Sequence, residues 1–244
     1  ERLAWSPDGK QVAFISATIA GLLAIRDGNF NLVNYLLLSL GLILAHATNN
    51  LLDDYTDHRR GVDKDNYFRS QYGPQVLEHG LMTEKQLLTY AAVTGLLALA
   101  AGAYLIVLHG TLALILLALG AFFVLFYTWP LKYIGLGEIA VLLVWGPLMV
   151  GGGYFVIAGG PWNWNVVIAS LPYALGVTTV IFGKHIDKFA EDKAKHIHTL
   201  PVILGEKLSR AMVLGMMILS YLSTIYLVSI GFYTPIMLLV LFAL

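Results

Sequence analysis

The stretch Thr48-Asn49-Asn50-Leu51-Leu52-Asp53-Asp54-Tyr55-Thr56-Asp57 decides how this chain is read. It follows an apolar run over residues 35–47 and puts carboxylates where that run gives way to polar sequence. On a helix, Asn49, Asp53 and Asp57 fall at i, i+4 and i+8. Asn50 lies three residues before one acid and seven before the other, so all four side chains share one face. If the run is the second half of a membrane helix, these acids sit where hydrocarbon meets water, a place where ionisable groups are functional by default. Such a face suits magnesium or a diphosphate. Mg²⁺ takes hard oxygen ligands and is usually held by one or two carboxylates together with the phosphates of its substrate. The bland alternative is a helix end that sheds solvated acids.

Composition favours the membrane. Apolar residues fill 58% of the 244 positions and charged residues 12%, with a mean hydropathy of +0.73, far beyond what a soluble domain of this size needs for its core. The fold class expected is therefore an all-α polytopic membrane protein, with the lipid bilayer as its solvent. Net charge is zero and cysteine is absent, so the sequence suggests neither a nucleic-acid partner nor a disulfide framework.

Working outward, the hydropathy pattern predicts helices over about 11–25, 32–52, 84–108, 112–129, 139–157, 166–182 and 208–230, with Thr83 as an N-cap and Pro130 closing the fourth. Residues 1–14 resemble one strand-turn-strand unit of a β-propeller repeat, but a single unit cannot bury a core, and an interfacial segment is the simpler reading. Residues 235–244 form an apolar run too short to span a bilayer. A single transmembrane domain over 1–244, a piece of a longer protein, is the expectation. Two polar connections, 53–83 and 184–207, stand out. With alternating connections, fourteen of the fifteen Lys and Arg residues fall on one side and only Arg26 opposite, so the positive-inside rule predicts that both connections, and the acids in them, are cytoplasmic.

The second connection opens with Lys184-His185-Ile186-Asp187-Lys188-Phe189-Ala190-Glu191-Asp192-Lys193. Asp187 and Glu191 are at i, i+4, as Asp53 and Asp57 are. If the sixth helix continues that far, two carboxylate pairs facing each other could hold two Mg²⁺ ions around one diphosphate. A solvated charged loop is the bland alternative, and His185, His196 and His198 read as loop residues.

These residues resemble the UbiA superfamily of intramembrane prenyltransferases. Its first motif has the form Asn-Asp-x-x-Asp-x-x-x-Asp; the stretch 49–57 matches it with Asn50 in place of the first acid, and a second register runs through Asp53, Asp54, Asp57 and Gly61. The string Thr199-Leu200-Pro201-Val202-Ile203-Leu204-Gly205 matches the Thr-Leu-Pro-Val-like string that the family carries just after its second motif, and it places Asp192 on that motif's final acid, with Lys188 where the earlier acid belongs. Softer signals, Arg60-Gly61-Val62-Asp63, 76–83, Leu136-Gly137-Glu138 and Gly146-Pro147-Leu148-Met149, resemble the menaquinone-type members, which use 1,4-dihydroxy-2-naphthoate. The resemblance implies a UbiA-like bundle of nine helices, of which this chain supplies seven and part of an eighth. It further implies Mg²⁺-dependent transfer from a polyprenyl diphosphate to an aromatic acceptor. Asp53, Asp57, Asp187 and Asp192 are then catalytic, and these four with Glu191 hold the metal. Asn49, Asn50, Arg60, Lys64, Tyr127, Lys132 and Lys188 bind substrate. Transfer to another ring such as 4-hydroxybenzoate, or an ion-coupled transporter, are the alternatives.

Overall fold

A computed structural model describes residues 10–64 and 75–243; the propeller-like segment falls largely outside these, as does Arg69 of the first polar connection. The chain forms α1 (Lys10–Arg26), α2 (Leu32–Arg59), α3 (Glu84–His109), α4 (Thr111–Phe126), a 3₁₀ turn (Leu131–Ile134) and α5 (Gly137–Ala158). It continues through α6 (Trp164–Asp187), α7 (Phe189–Ala194), α8 (Leu200–Leu204), α9 (Glu206–Ser229) and a final 3₁₀ stretch (Pro235–Ala243). No strand occurs among the described residues. Helices α2, α3, α5, α6 and α9 are long and apolar enough to cross a membrane, and Phe14–Arg26 and α4 are shorter apolar helices, which gives the seven expected plus the last short piece. Val93, Leu96, Leu97 and Val107 on α3 and Leu214, Ile218 and Leu222 on α9 are exposed. Such apolar bands belong in hydrocarbon.

Helix ends follow local chemistry. Asn31 caps α2 by accepting from Asn34 N at 3.0 Å, and Thr83 forms a reciprocal capping box with Gln86 at the start of α3. Two ends differ from expectation. The second helix runs past residue 52 to Arg59, so the acids lie on the helix and not in the connection after it. The sixth runs past 182 to Asp187. In both, basic side chains occupy the last turn, His58 and Arg59 in one, Lys184 and His185 in the other, where they complement the negative end of the helix dipole. The fourth helix stops at Phe126, three residues early, because the residue before a proline avoids helical geometry and Pro130 follows Trp129.

Helix α2 packs most extensively on α3, and α6 on α9, while α1 lies against α2 and α5. Small residues allow the close approaches. A Cβ on Gly146 would sit 2.7 Å from Ala174 Cβ, and one on Gly153 would sit 3.2 Å from Ala20 Cβ. Gly151-Gly152-Gly153 therefore serves helix packing. Between residues Val144 and Gly151 α5 widens to a π-helix around Pro147, which has no N–H to donate to the ladder. The main buried cluster, with Ala20, Ala24, Val150, Ile157 and Val166, joins α1, α5 and the start of α6. It occupies the rim away from the acids and leaves the other rim to polar groups.

Candidate active site

The acid face of α2 meets the end of α4 in step. Asn49 Nδ2 donates to Val124 O at 3.1 Å, Thr128 Oγ1 donates to Asp53 Oδ1 at 2.8 Å, and Lys132 Nζ donates to Asp57 Oδ2 at 2.6 Å. Each pair is separated by 75 residues, so the positions i, i+4 and i+8 of α2 face 124, 128 and 132, and the two segments run parallel. Lys132 also lies 3.6 Å from Asp53 Oδ1, and both Lys132 and Asp57 are buried. Burial opposes the Lys132 charge, but the carboxylates of Asp53 and Asp57 outweigh it and hold the ammonium protonated well above lysine's ordinary range. Burial and the same carboxylates push the Tyr127 phenol upward, and burial with the Asp57 charge raises Tyr133 to about 12. The Arg60 guanidinium stacks over Trp129 at 5.1 Å and Tyr133 at 4.9 Å.

Of the other residues expected at this site, Asn50 is half-buried with Nδ2 3.4 Å from His46 Nε2, and His46 packs edge-on against Trp145 at 5.2 Å. Lys64 is exposed, and its backbone carbonyl, with those of Val62 and Gly61, accepts from Lys195 Nζ at 2.9, 2.6 and 3.3 Å. These bonds tie the two polar connections together at one rim. At the second stretch the helix breaks at Lys188 and restarts as α7, so the i, i+4 relation between Asp187 and Glu191 does not place them on one helix face. Asp187 is exposed, whereas Lys188 and Asp192 are buried with Nζ and Oδ1 3.5 Å apart.

Sequence reasoning passed over Thr128 and gave Glu138 no role. Glu138 is 1% exposed, accepts from His185 Nδ1 at 2.5 Å and from the Leu200 backbone N–H at 3.3 Å. An acid between two apolar helices was a usable signal for Glu138; nothing near Thr128 in the chain points to Asp53.

Among the described residues, no three His, Cys, Asp or Glu side chains group closely enough to hold a metal ion by themselves. The donor set nonetheless fits Mg²⁺ completed by a substrate. Asp57 Oδ1, Glu191 Oε2 and Asp192 Oδ2 are buried without a hydrogen-bond partner, and hard anionic oxygens are what this cation takes.

A helical bundle with lipid-facing flanks and buried acids gathered at one rim defines a polytopic membrane protein with a candidate anion and hard-cation site. Residues 14–244 match the UbiA prenyltransferase family, and the chain belongs to it. It is 23% identical over 219 residues to the UbiA prenyltransferase domain-containing protein 1 homolog of Drosophila melanogaster, covering 86% of this chain and 59% of that one. It is 29% identical over 210 residues to the 1,4-dihydroxy-2-naphthoate octaprenyltransferase of Escherichia coli, covering 82% and 67%. The chain thus spans between 54% and 62% of the length of the animal relatives it matches. A UbiA homolog from Archaeoglobus fulgidus, bound to GPP and Mg²⁺, shares the fold with a TM-score of 0.64 at 16% identity, over 96% of this chain and 83% of that one.

Proposed function

We propose that this chain, as one transmembrane domain, transfers a polyprenyl group from an allylic diphosphate to an aromatic acceptor, 1,4-dihydroxy-2-naphthoate, with Mg²⁺ and with the acid rim facing the cytoplasm. The observation that carries this reading is the ladder of Asn49, Asp53 and Asp57 against Val124, Thr128 and Lys132, with buried carboxylate oxygens left over. The naphthoate assignment is supported by the name of the Escherichia coli relative, and the use of prenyl diphosphate with Mg²⁺ by the bound ligands of the archaeal homolog.

Asp53, Asp57, Glu191 and Asp192 would hold Mg²⁺, which when bound neutralises the charge on the diphosphate. Transfer begins as the C–O bond to the allylic carbon breaks and its electron pair leaves with the diphosphate. Lys132, kept protonated by its two carboxylates, places a fixed positive charge where that anion departs. Thr128 fixes Asp53 with its hydroxyl, so the acid face keeps its geometry. An aromatic carbon of the acceptor then supplies the pair for the new C–C bond, and the same carbon gives up its own substituent, a proton or, where it bears the carboxylate, CO₂, whose bonding pair returns to the ring. The prenyl tail lies among apolar helices, where burial contributes about 0.8 kcal/mol per CH₂.

The test is product formation in detergent from radiolabelled polyprenyl diphosphate and 1,4-dihydroxy-2-naphthoate, with Mg²⁺ and with EDTA. A prenylated naphthoate formed only with Mg²⁺ is the expected result. Product with 4-hydroxybenzoate alone would replace the acceptor. Absence of diphosphate release with any ring would favour an ion-coupled transporter.

A further inference from the structure

Glu138 is the most completely buried acid of the rim, and its two oxygens face in two directions. Oε1 accepts a hydrogen bond from His185 Nδ1 at 2.5 Å, on the last turn of α6, and Oε2 accepts one from the Leu200 backbone N–H at 3.3 Å, at the start of α8. His185 is itself only 7% exposed. The segment between these two contacts, residues 186–199, carries Asp187, Lys188, Glu191 and Asp192. Glu138 thus grips both ends of the second acid stretch.

The same carboxylate stands six residues beyond Lys132, and the intervening turn is tight. A Cβ on Gly137 would come within 3.2 Å of Lys132 Cα, and Gly135 holds φ +75° with its Cα face against Ile203 and the His198 carbonyl. One short turn therefore holds Asp53 and Asp57 through Lys132 at one end and the second stretch through Glu138 at the other. A second, independent tie runs the opposite way, from Lys195 Nζ to the carbonyls of 61, 62 and 64.

We infer that Glu138 is a positioning residue: through His185 and Leu200 N it fixes the second acid stretch to the turn that carries Lys132, so that both acid sets are held on one frame. Each of its oxygens has a protein partner, and it acts through those partners. This inference rests on the diphosphate reading of the rim. An outer contact that orients a ligating group acts on affinity as much as on folding, and its loss is expected to cost about tenfold or more in metal affinity or activity.

The experiment is a thermal-unfolding titration of the purified protein in detergent with Mg²⁺ plus inorganic diphosphate, repeated on Glu138→Ala, Glu138→Gln and His185→Asn. The unfolding midpoint of the unsubstituted protein is expected to rise on titration. Glu138→Ala should need about tenfold more Mg²⁺ and diphosphate for the same rise, while His185→Asn, whose amide can still donate to Glu138, should titrate close to the unsubstituted protein. If Glu138→Ala does not fold, Glu138→Gln, which keeps the size and one carbonyl acceptor, decides by the same titration. A variant that unfolds at lower temperature yet titrates at unchanged concentrations would overturn the inference and leave Glu138 a packing residue. No rise for the unsubstituted protein would overturn the diphosphate reading itself, and this inference with it.

Discussion

Lys132 and Asp57 form a buried pair whose two members are not equivalent. Removing the lysine leaves Asp57 buried with no hydrogen bond to its Oδ2 and none to its Oδ1. Removing the aspartate charge leaves Lys132 still 3.6 Å from Asp53. Lys132→Met is therefore expected to cost about 3 kcal/mol of stability, more than Asp57→Asn, with the double variant more stable than Lys132→Met alone. Denaturation midpoints in detergent check the order; equal losses for the two single variants would show that Asp53 does not share the lysine. For activity the order differs, since Asp57→Asn should abolish turnover in a folded protein, as judged by product formation. At this scale the sequence was readable where chemistry repeats along a helix. Asn49, Asp53 and Asp57 announce their shared face by spacing alone, but their partners at 124, 128 and 132 come from a register between two helices that no local pattern encodes.

The turn between α4 and α5 is the element on which most of the rim depends. Gly135 sits at φ +75°, and a Cβ there would lie 2.3 Å from Ile203 Cδ1. Gly135→Ala is expected to lower stability by about 1–2 kcal/mol from the left-handed backbone, with the Ile203 contact adding to it. Adding Ile203→Ala should recover only part of the loss; full recovery in a melting experiment would show that contact, and not backbone, is limiting. Element ends were the least readable part of the fold. Hydropathy stops α2 at residue 52 and α6 at 182, yet the helices run on because their last turns carry basic groups at the negative end of the dipole. The opposite failure occurs at Lys188. Asp187 and Glu191 look like a helical pair by spacing, but the backbone breaks between them and turns Asp187 outward while burying Asp192. Spacing rules hold only where the helix does.

For the molecule as a whole, orientation in the membrane follows from charge. With Arg26 the one Lys or Arg at the far rim among the described residues, the acid rim is expected in the cytoplasm. The chain has no cysteine, so single cysteines report without background. A membrane-impermeant maleimide applied to intact cells should label Asn29→Cys and spare Lys193→Cys, with the pattern reversed in inverted vesicles; the opposite result would turn the molecule over. Arg26 is well placed at that far rim. It pairs with Asp27 at 2.7 Å, donates to the Phe232 carbonyl at 2.9 Å and stacks on the Phe232 ring at 4.1 Å, joining the end of α1 to the residues after α9. The Arg26 hydrogen bond holds the Asp27 carboxyl below its usual range.

Gly110 alone separates α3 from α4, at φ +71°, a backbone state that glycine adopts at little cost. With a single residue between a helix of 26 residues and one of 16, the end of the first and the start of the second are fixed at the same rim. Two apolar helices joined this tightly at one rim form a helical hairpin, and α3 and α4 are therefore expected to be inserted during synthesis as a single unit.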